Sequence, residues 1–209
     1  MKKQKLANLI LLVIFGVIMF ISKMIMEFLP NIHAVAMFIA VFTLAYRHKA
    51  LISIYVYVFL IGFIYGFNAW WYPYIYIWTV LWVLIMLIPK KLPMRFKVIL
   101  SWVFCALHGL AYGTLYAPVQ AAVFGLSFEA MISWIIAGLP WDIIHMVGNI
   151  AMGTLIYPLY RVLLKLMDKN NTENQASLQN KKLTKNNVFL ECITPSGQSD
   201  KRYYLKNKK

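Results

Sequence analysis

Residues 6–28 have the sequence LANLILLVIFGVIMFISKMIMEF, an apolar run that contains only two charged side chains, Lys23 and Glu27. Apolar runs of about 17–25 residues are typical of transmembrane helices. Lysines precede the run, as they would in a signal peptide. However, the run is long for a signal core, and no small-residue cleavage site follows in residues 23–30. The segment therefore predicts a retained first membrane span.

The rest of the chain repeats this composition. Of its 209 residues, 61% are hydrophobic and 13% are charged, whereas a soluble domain has about 25% charged residues. Turn-forming and basic residues divide the chain into apolar segments at 6–28, 33–46, 51–67, 72–88, 96–116 and 140–166. A less regular stretch at 120–138 predicts a partial or re-entrant helix. We therefore expect an all-α, polytopic membrane bundle of about six transmembrane helices.

The distribution of lysine and arginine predicts the orientation of the bundle. If the N-terminus is inside, the loops at 29–32, 68–71 and 118–139 lie outside, and they contain no basic residue. The inside segments contain nearly all of them, as the positive-inside rule requires. Both termini are therefore predicted to be cytoplasmic. This topology accounts for the net charge of +14, so nucleic acid is not an expected partner.

The composition predicts two domains: a membrane-embedded bundle at residues 1–167 and a basic cytoplasmic tail at 168–209. The polar, Asn-rich part at 169–179 predicts disorder. Residues 187–193 and 202–205 could form two short strands around a turn at 194–197. The lysines would favour anionic lipid by about 1 kcal/mol per base, although a solvated tail without a role is an equal alternative.

Polar side chains gather on one face of the last predicted span, for which Pro140 suits the first helical turn. Asp142, His145 and Asn149 follow the spacing i, i+3, i+7, which places them on one side of a helix. Together with the adjacent Trp141, they could bind a polar ligand. Alternatively, Asp142 charges the helix terminus while His145 and Asn149 join helices.

An aromatic-rich segment provides the second candidate site. Seven aromatic residues occur in residues 67–78, next to a predicted outer loop. The candidate ligand contacts in this segment are Asn68, Trp70, Trp71, Tyr74 and Trp78. Flat rings can stack on a planar ligand, but aromatic residues also anchor proteins at the membrane interface. The sequence supports both interpretations.

A membrane enzyme is a rival class. His108, Asp142 and His145 could form a metal or catalytic cluster, because imidazole and carboxylate are common ligands. Their spacing matches no recognised metal motif, and the chain contains no nucleotide-binding or nucleophile-elbow motif. A buried core histidine is the simpler interpretation of His108. In a third class, a structural membrane subunit, the polar residues only join helices.

Residues 138–149, with the sequence GLPWDIIHMVGN, carry a resemblance to a known family. They resemble the stretch that opens the sixth helix in many substrate-binding S components of energy-coupling factor (ECF) transporters, Gly-hydrophobic-Pro-x-Asp-hydrophobic-Ile-His-x-x-x-Asn. The resemblance implies a multi-pass protein of a bacterial plasma membrane. It would bind a vitamin or similar nutrient at the outer face, without a catalytic site or cofactor of its own. Rings and amides would suit a vitamin, a nucleobase-like compound or a cobalamin-like molecule.

The resemblance also implies partners, namely a transmembrane coupling subunit and two ABC ATPases. Members of the family touch the coupling subunit through an Ala-x-x-x-Ala stretch in the first helix. Here the matching residues are Ala36 and Ala40, which lie in the second apolar segment rather than the first. They are the predicted partner contacts.

Overall fold

The structure is a computed structural model that describes residues 2–193. These residues form helices and connecting turns and contain no strand. The helices are α1 (Lys2–Ile25), α2 (Val35–Tyr46), α3 (Ala50–Tyr65), α4 (Tyr74–Met86), α5 (Met94–Leu110), α6 (Tyr112–Phe124), α7 (Phe128–Gly153) and α8 (Ile156–Ile193). Short 3-10 turns occur at Arg47–Lys49 and Ala69–Trp71.

The chain is an α-helical membrane bundle, as predicted. Among the described residues, four helical stretches are long and apolar enough to cross a membrane: Leu6–Ile25, Val35–Tyr65, Ala69–Met86 and Phe128–Gly153. The pair α5 and α6, bent by 41°, makes a fifth if it counts as one span. The expected total of about six spans and the cytoplasmic location of both ends stay predictions.

The stretch Val35–Tyr65 contains two helices rather than one. Arg47 adopts a φ of 54°, which ends α2. Arg47 Nη2 donates a hydrogen bond to the carbonyl oxygen of Met86 at the end of α4 (2.6 Å). His33, just before α2, contacts Trp78 in the first half of α4, with 5.8 Å between ring centroids. α2 therefore runs parallel to α4.

α3 runs in the opposite direction. The Tyr55 hydroxyl lies 2.9 Å from Thr79 Oγ1, whereas Trp71 Nε1, before α4, donates to the carbonyl oxygen of Val58 (2.9 Å). These contacts make α3 antiparallel to α4 and hence to α2. α2 and α3 thus form a helical hairpin around the Arg47–Lys49 turn, as expected from the predicted boundary between the second and third segments.

The predicted start of the last span at Pro140 is wrong. α7 begins at Phe128, because Ser127 caps it and its side-chain oxygen accepts a hydrogen bond from the Ala130 backbone N–H (3.2 Å). Pro140 lies inside this helix. The prediction of a partial helix at 120–138 is also wrong. These residues belong to two different helices, the end of α6 and the start of α7, which are separated by a turn at Gly125. Gly125 ends α6 with a φ of 65°, which glycine adopts readily.

Two predictions for the tail are also wrong. α8 continues to Ile193, so residues 169–179 are helical rather than disordered, and residues 187–193 are helical rather than a strand. Leu, Lys, Gln and Glu propagate helices well, and Lys169 and Glu173 form an i, i+4 ion pair (3.9 Å). The predicted turn at 194–197 and strand at 202–205 lie outside the described residues. By internal contacts the chain divides into two units, Met1–Leu164 and Lys165–Lys209.

Candidate functional site

A cavity of about 350 Å³ lies between the α1–α2 connection and the helices that face it. Residues 29–33 and the end of α1 form one side. The other side consists of aromatic rings from the segment before α4, from α4 and from α6. The side chains on this second side, together with one imidazole from α7, are Trp70, Tyr74, Tyr112, Tyr116 and His145. Residues from distant parts of the sequence thus converge on one space.

Two imidazole rings meet at the inner end of the cavity. The ring centroids of His33 and His145 are 4.9 Å apart, and the planes are inclined at 66°. Within the described part of the chain, His33 Nδ1 and His145 Nε2 are buried and have no hydrogen-bond partner. Desolvation, and secondarily the charge of Lys23, lower the pKa of His33 to about 4. The His33 imidazole is therefore neutral at physiological pH and offers one donor and one acceptor.

Behind this pair lies a buried aromatic cluster centred on Trp78, which is 0% exposed. Its indole contacts five other rings, those of His33, Tyr57, Tyr74, His108 and Tyr112. His108 is itself tied to the backbone, with its Nε2 at 3.0 Å from the carbonyl oxygen of Ile77. Trp78 and His108 therefore support the inner end of the cavity without lining it.

The two charged side chains that line the cavity, Lys23 and Glu27, pair with each other. Lys23 Nζ is 3.2 Å from Glu27 Oε1, and Tyr65 donates its hydroxyl to Glu27 Oε2 (2.7 Å). The Lys23 ammonium also sits 4.5 Å from the centre of the Tyr65 ring. These hydrogen bonds, that of Tyr65 first, lower the pKa of Glu27, so the carboxylate stays ionised. The two charges cancel, and the lining is neutral overall.

The five candidate residues of the aromatic-rich segment differ in where they lie relative to the cavity. Trp70 and Tyr74 line the cavity, and Trp78 supports it from behind. Trp71 is buried against α3, where its indole N–H bonds to the carbonyl of Val58. Asn68 is exposed and does not line the cavity. The segment therefore contributes both pocket walls and packing, so neither of the two sequence interpretations covers all of it.

The three polar residues predicted to share one face of α7 also differ in their contacts. His145 lines the cavity, whereas the carboxylate of Asp142 accepts hydrogen bonds from the Gly113 backbone N–H, at 3.0 Å and 3.1 Å. Asn149 Nδ2 donates to the carbonyl oxygen of Cys105 (2.9 Å). The contacts of Asp142 and Asn149 thus favour the helix-joining alternative, and only His145 stays a predicted ligand contact.

Trp141 and the two alanines lie outside the cavity. The Trp141 side chain is 54% exposed, and its carbonyl oxygen accepts a long hydrogen bond from Asn31 Nδ2 (3.4 Å). Ala36 and Ala40 are both 0% exposed. The prediction that these alanines contact a partner is wrong, because α2 turns them into the bundle, where Cys105 Sγ bonds to the carbonyl of Ala36 (3.4 Å).

Several lining residues were not predicted from the sequence. Those with aromatic or titratable side chains are Lys23, Glu27, His33, Tyr112 and Tyr116. The charged pair at i, i+4 inside an otherwise apolar run was an available signal, because ionisable groups at membrane depth often mark function. The contact between His33 and His145 could not be predicted from a local sequence pattern, because 112 positions separate the two residues and only the folded bundle brings them together.

Comparison with protein-family models, curated proteins and solved structures finds no match. Function is therefore inferred from the cavity and the residues around it. Among the described residues, no group of three His, Cys, Asp or Glu side chains is arranged to hold a metal ion. Asp142, one member of the cluster considered for a membrane enzyme, instead bonds to the Gly113 backbone.

Proposed function

We propose that the chain is the substrate-binding subunit of an ECF-type importer, which captures a small nutrient at the outer face of the membrane. One observation carries the proposal: a cavity in which two buried imidazole nitrogens, His33 Nδ1 and His145 Nε2, lack partners among the described residues. Buried polar groups are nearly always hydrogen-bonded. A bound ligand would supply the missing partners.

The lining also suggests the chemistry of the nutrient. A volume of about 350 Å³ is close to the lower end of the usual range for small-molecule sites, about 300–1,000 Å³. It favours a vitamin or a nucleobase-like compound over a cobalamin-like one. The rings of Tyr74, Tyr112 and Tyr116 suit a flat molecule. Beside them, the neutral imidazole of His33 suits an uncharged group with both a donor and an acceptor, such as an amide edge.

Delivery into the cell would depend on a coupling subunit and two ABC ATPases. With Ala36 and Ala40 buried, the coupling subunit would bind elsewhere on the lipid-facing side. Purified in mild detergent from its native membrane, the tagged chain should carry a second membrane protein and ATPases, and the complex should hydrolyse ATP. A chain that stays alone after chemical cross-linking in the native membrane would contradict the importer proposal.

A further inference from the structure

We infer that Asp142 is a positioning residue: it caps α6 from the neighbouring helix and thereby sets the separation of the cavity walls that α6 and α7 carry. The inference rests on the proposed function only in that these walls enclose the binding cavity. α5 and α6 are separated by a break at Ala111, which ends one helix and precedes the next.

The first turn of α6 needs a hydrogen-bond acceptor that its own sequence does not supply. The first N–H groups of a helix lack partners within the helix, and a side chain before the helix usually accepts one of them. Ala111 occupies that position and has no side-chain oxygen, so α6 has no cap of its own. The Gly113 N–H, in the first turn, instead points to the Asp142 carboxylate of α7, at 3.0 Å and 3.1 Å from its two oxygens.

The fit around this contact is close. Gly113 and Asp142 are both buried. A Cβ atom at Gly113 would lie 2.5 Å from Asp142 Oδ2, nearer than such atoms come in real structures. Glycine at position 113 thus lets the α6 backbone approach the carboxylate directly, and a charge-assisted hydrogen bond of this kind is stronger than a neutral one.

The capping contact lies beside the cavity on both helices. On α6, Gly113 directly follows Tyr112, whose ring centroid lies 4.8 Å from that of His145. On α7, His145 is three residues after Asp142, so both project from neighbouring turns of one face. Further along α6, Tyr116 stacks on Trp134 of α7 (6.1 Å) and donates its hydroxyl to the carbonyl of Trp70. Asp142 therefore holds the lining rings of α6 against the lining imidazole of α7.

Spin-label distances test the inference without any ligand. In a Cys192→Ser background, one label pair joins Phe63 to Ala122 and reports α6, and a second pair joins Phe63 to Ile136 and reports α7. All three label positions are exposed, and Cys105 is kept because it is 1% exposed. Asp142→Ala should shift and broaden the Phe63–Ala122 distances while leaving the Phe63–Ile136 distances as they are. Asp142→Asn, which keeps one acceptor oxygen, should restore most of the wild-type distribution.

Asn149→Ala is the matched control, because it removes an α7–α5 hydrogen bond that does not involve α6. It should lower the melting temperature without moving the α6 label. Gly113→Ala supplies a second variant, in which the added methyl group should displace α6 although the carboxylate is intact. The inference is overturned if the Phe63–Ala122 distances are unchanged in Asp142→Ala or in Gly113→Ala, or if Asp142→Asn moves α6 as far as Asp142→Ala does. Because no ligand takes part, these outcomes are independent of whether the importer proposal holds.

Discussion

Replacing His145 with alanine is expected to weaken binding of the nutrient about 5- to 150-fold, with little change in the fold. The substitution removes a buried ring nitrogen from the inner end of the cavity. It thereby leaves a polar group of the ligand buried without a partner, which costs about 1–3 kcal/mol. His33→Ala should have an effect of similar size, because its ring lies 4.9 Å away at the same end. The measurement is titration of each variant in detergent with the compound that the wild-type protein retains on purification.

His48→Ala is the control for this pair of variants. His48 is exposed and lies in the Arg47–Lys49 turn, at the opposite end of α2 from His33, so its loss should leave the affinity unchanged. If the affinities of His33→Ala and His145→Ala both match that of His48→Ala, the imidazole pair does not contact the ligand.

Replacing Trp78 with alanine is expected to cost about 3–5 kcal/mol of stability, the range for removing a buried aromatic side chain. Trp78 is fully buried and contacts five rings. Its loss would leave His33 and Tyr74 without support and enlarge the cavity. Thermal unfolding in detergent should show a large fall in melting temperature, and Trp78→Phe should show a smaller one.

Trp141→Ala is the matched control, since its side chain is 54% exposed. Its melting temperature should stay close to that of the wild type. Equal falls for Trp78→Ala and Trp141→Ala would mean that the cluster around Trp78 does not hold the inner end of the cavity together.

The fold class could be predicted from the sequence because it depends on composition and on the length of apolar runs. Helix boundaries were harder to predict where two signals competed. Pro140 suits the first turn of a helix, and Ser127, thirteen residues earlier, suits an N-cap. The structure has the cap at Ser127, and Pro140 lies inside α7. The helix in the tail is hard to predict because its polar composition resembles that of disordered segments, although its residues also tolerate a helix.

The site could be predicted only in part. The spacing of Asp142, His145 and Asn149 correctly placed them on one helix, and all three are buried. It could not show which of them faces a cavity, because that depends on where α5 and α6 pack. The partner of Asp142 is a backbone N–H, and a backbone group leaves no side-chain pattern in the sequence. Ala36 matched a motif by residue type alone, and the direction in which α2 faces decided against it.

The central claim is that the cavity holds a small nutrient, and mass spectrometry of compounds extracted from the purified protein tests it most directly. The wild type should release one compound at about one molecule per chain, small enough for a cavity of about 350 Å³. A variant with both His33→Ala and His145→Ala, purified in parallel, should release far less of it. If no compound is enriched in the wild type over the double variant, even after the cells grow in rich medium, the claim of a nutrient-binding cavity is contradicted.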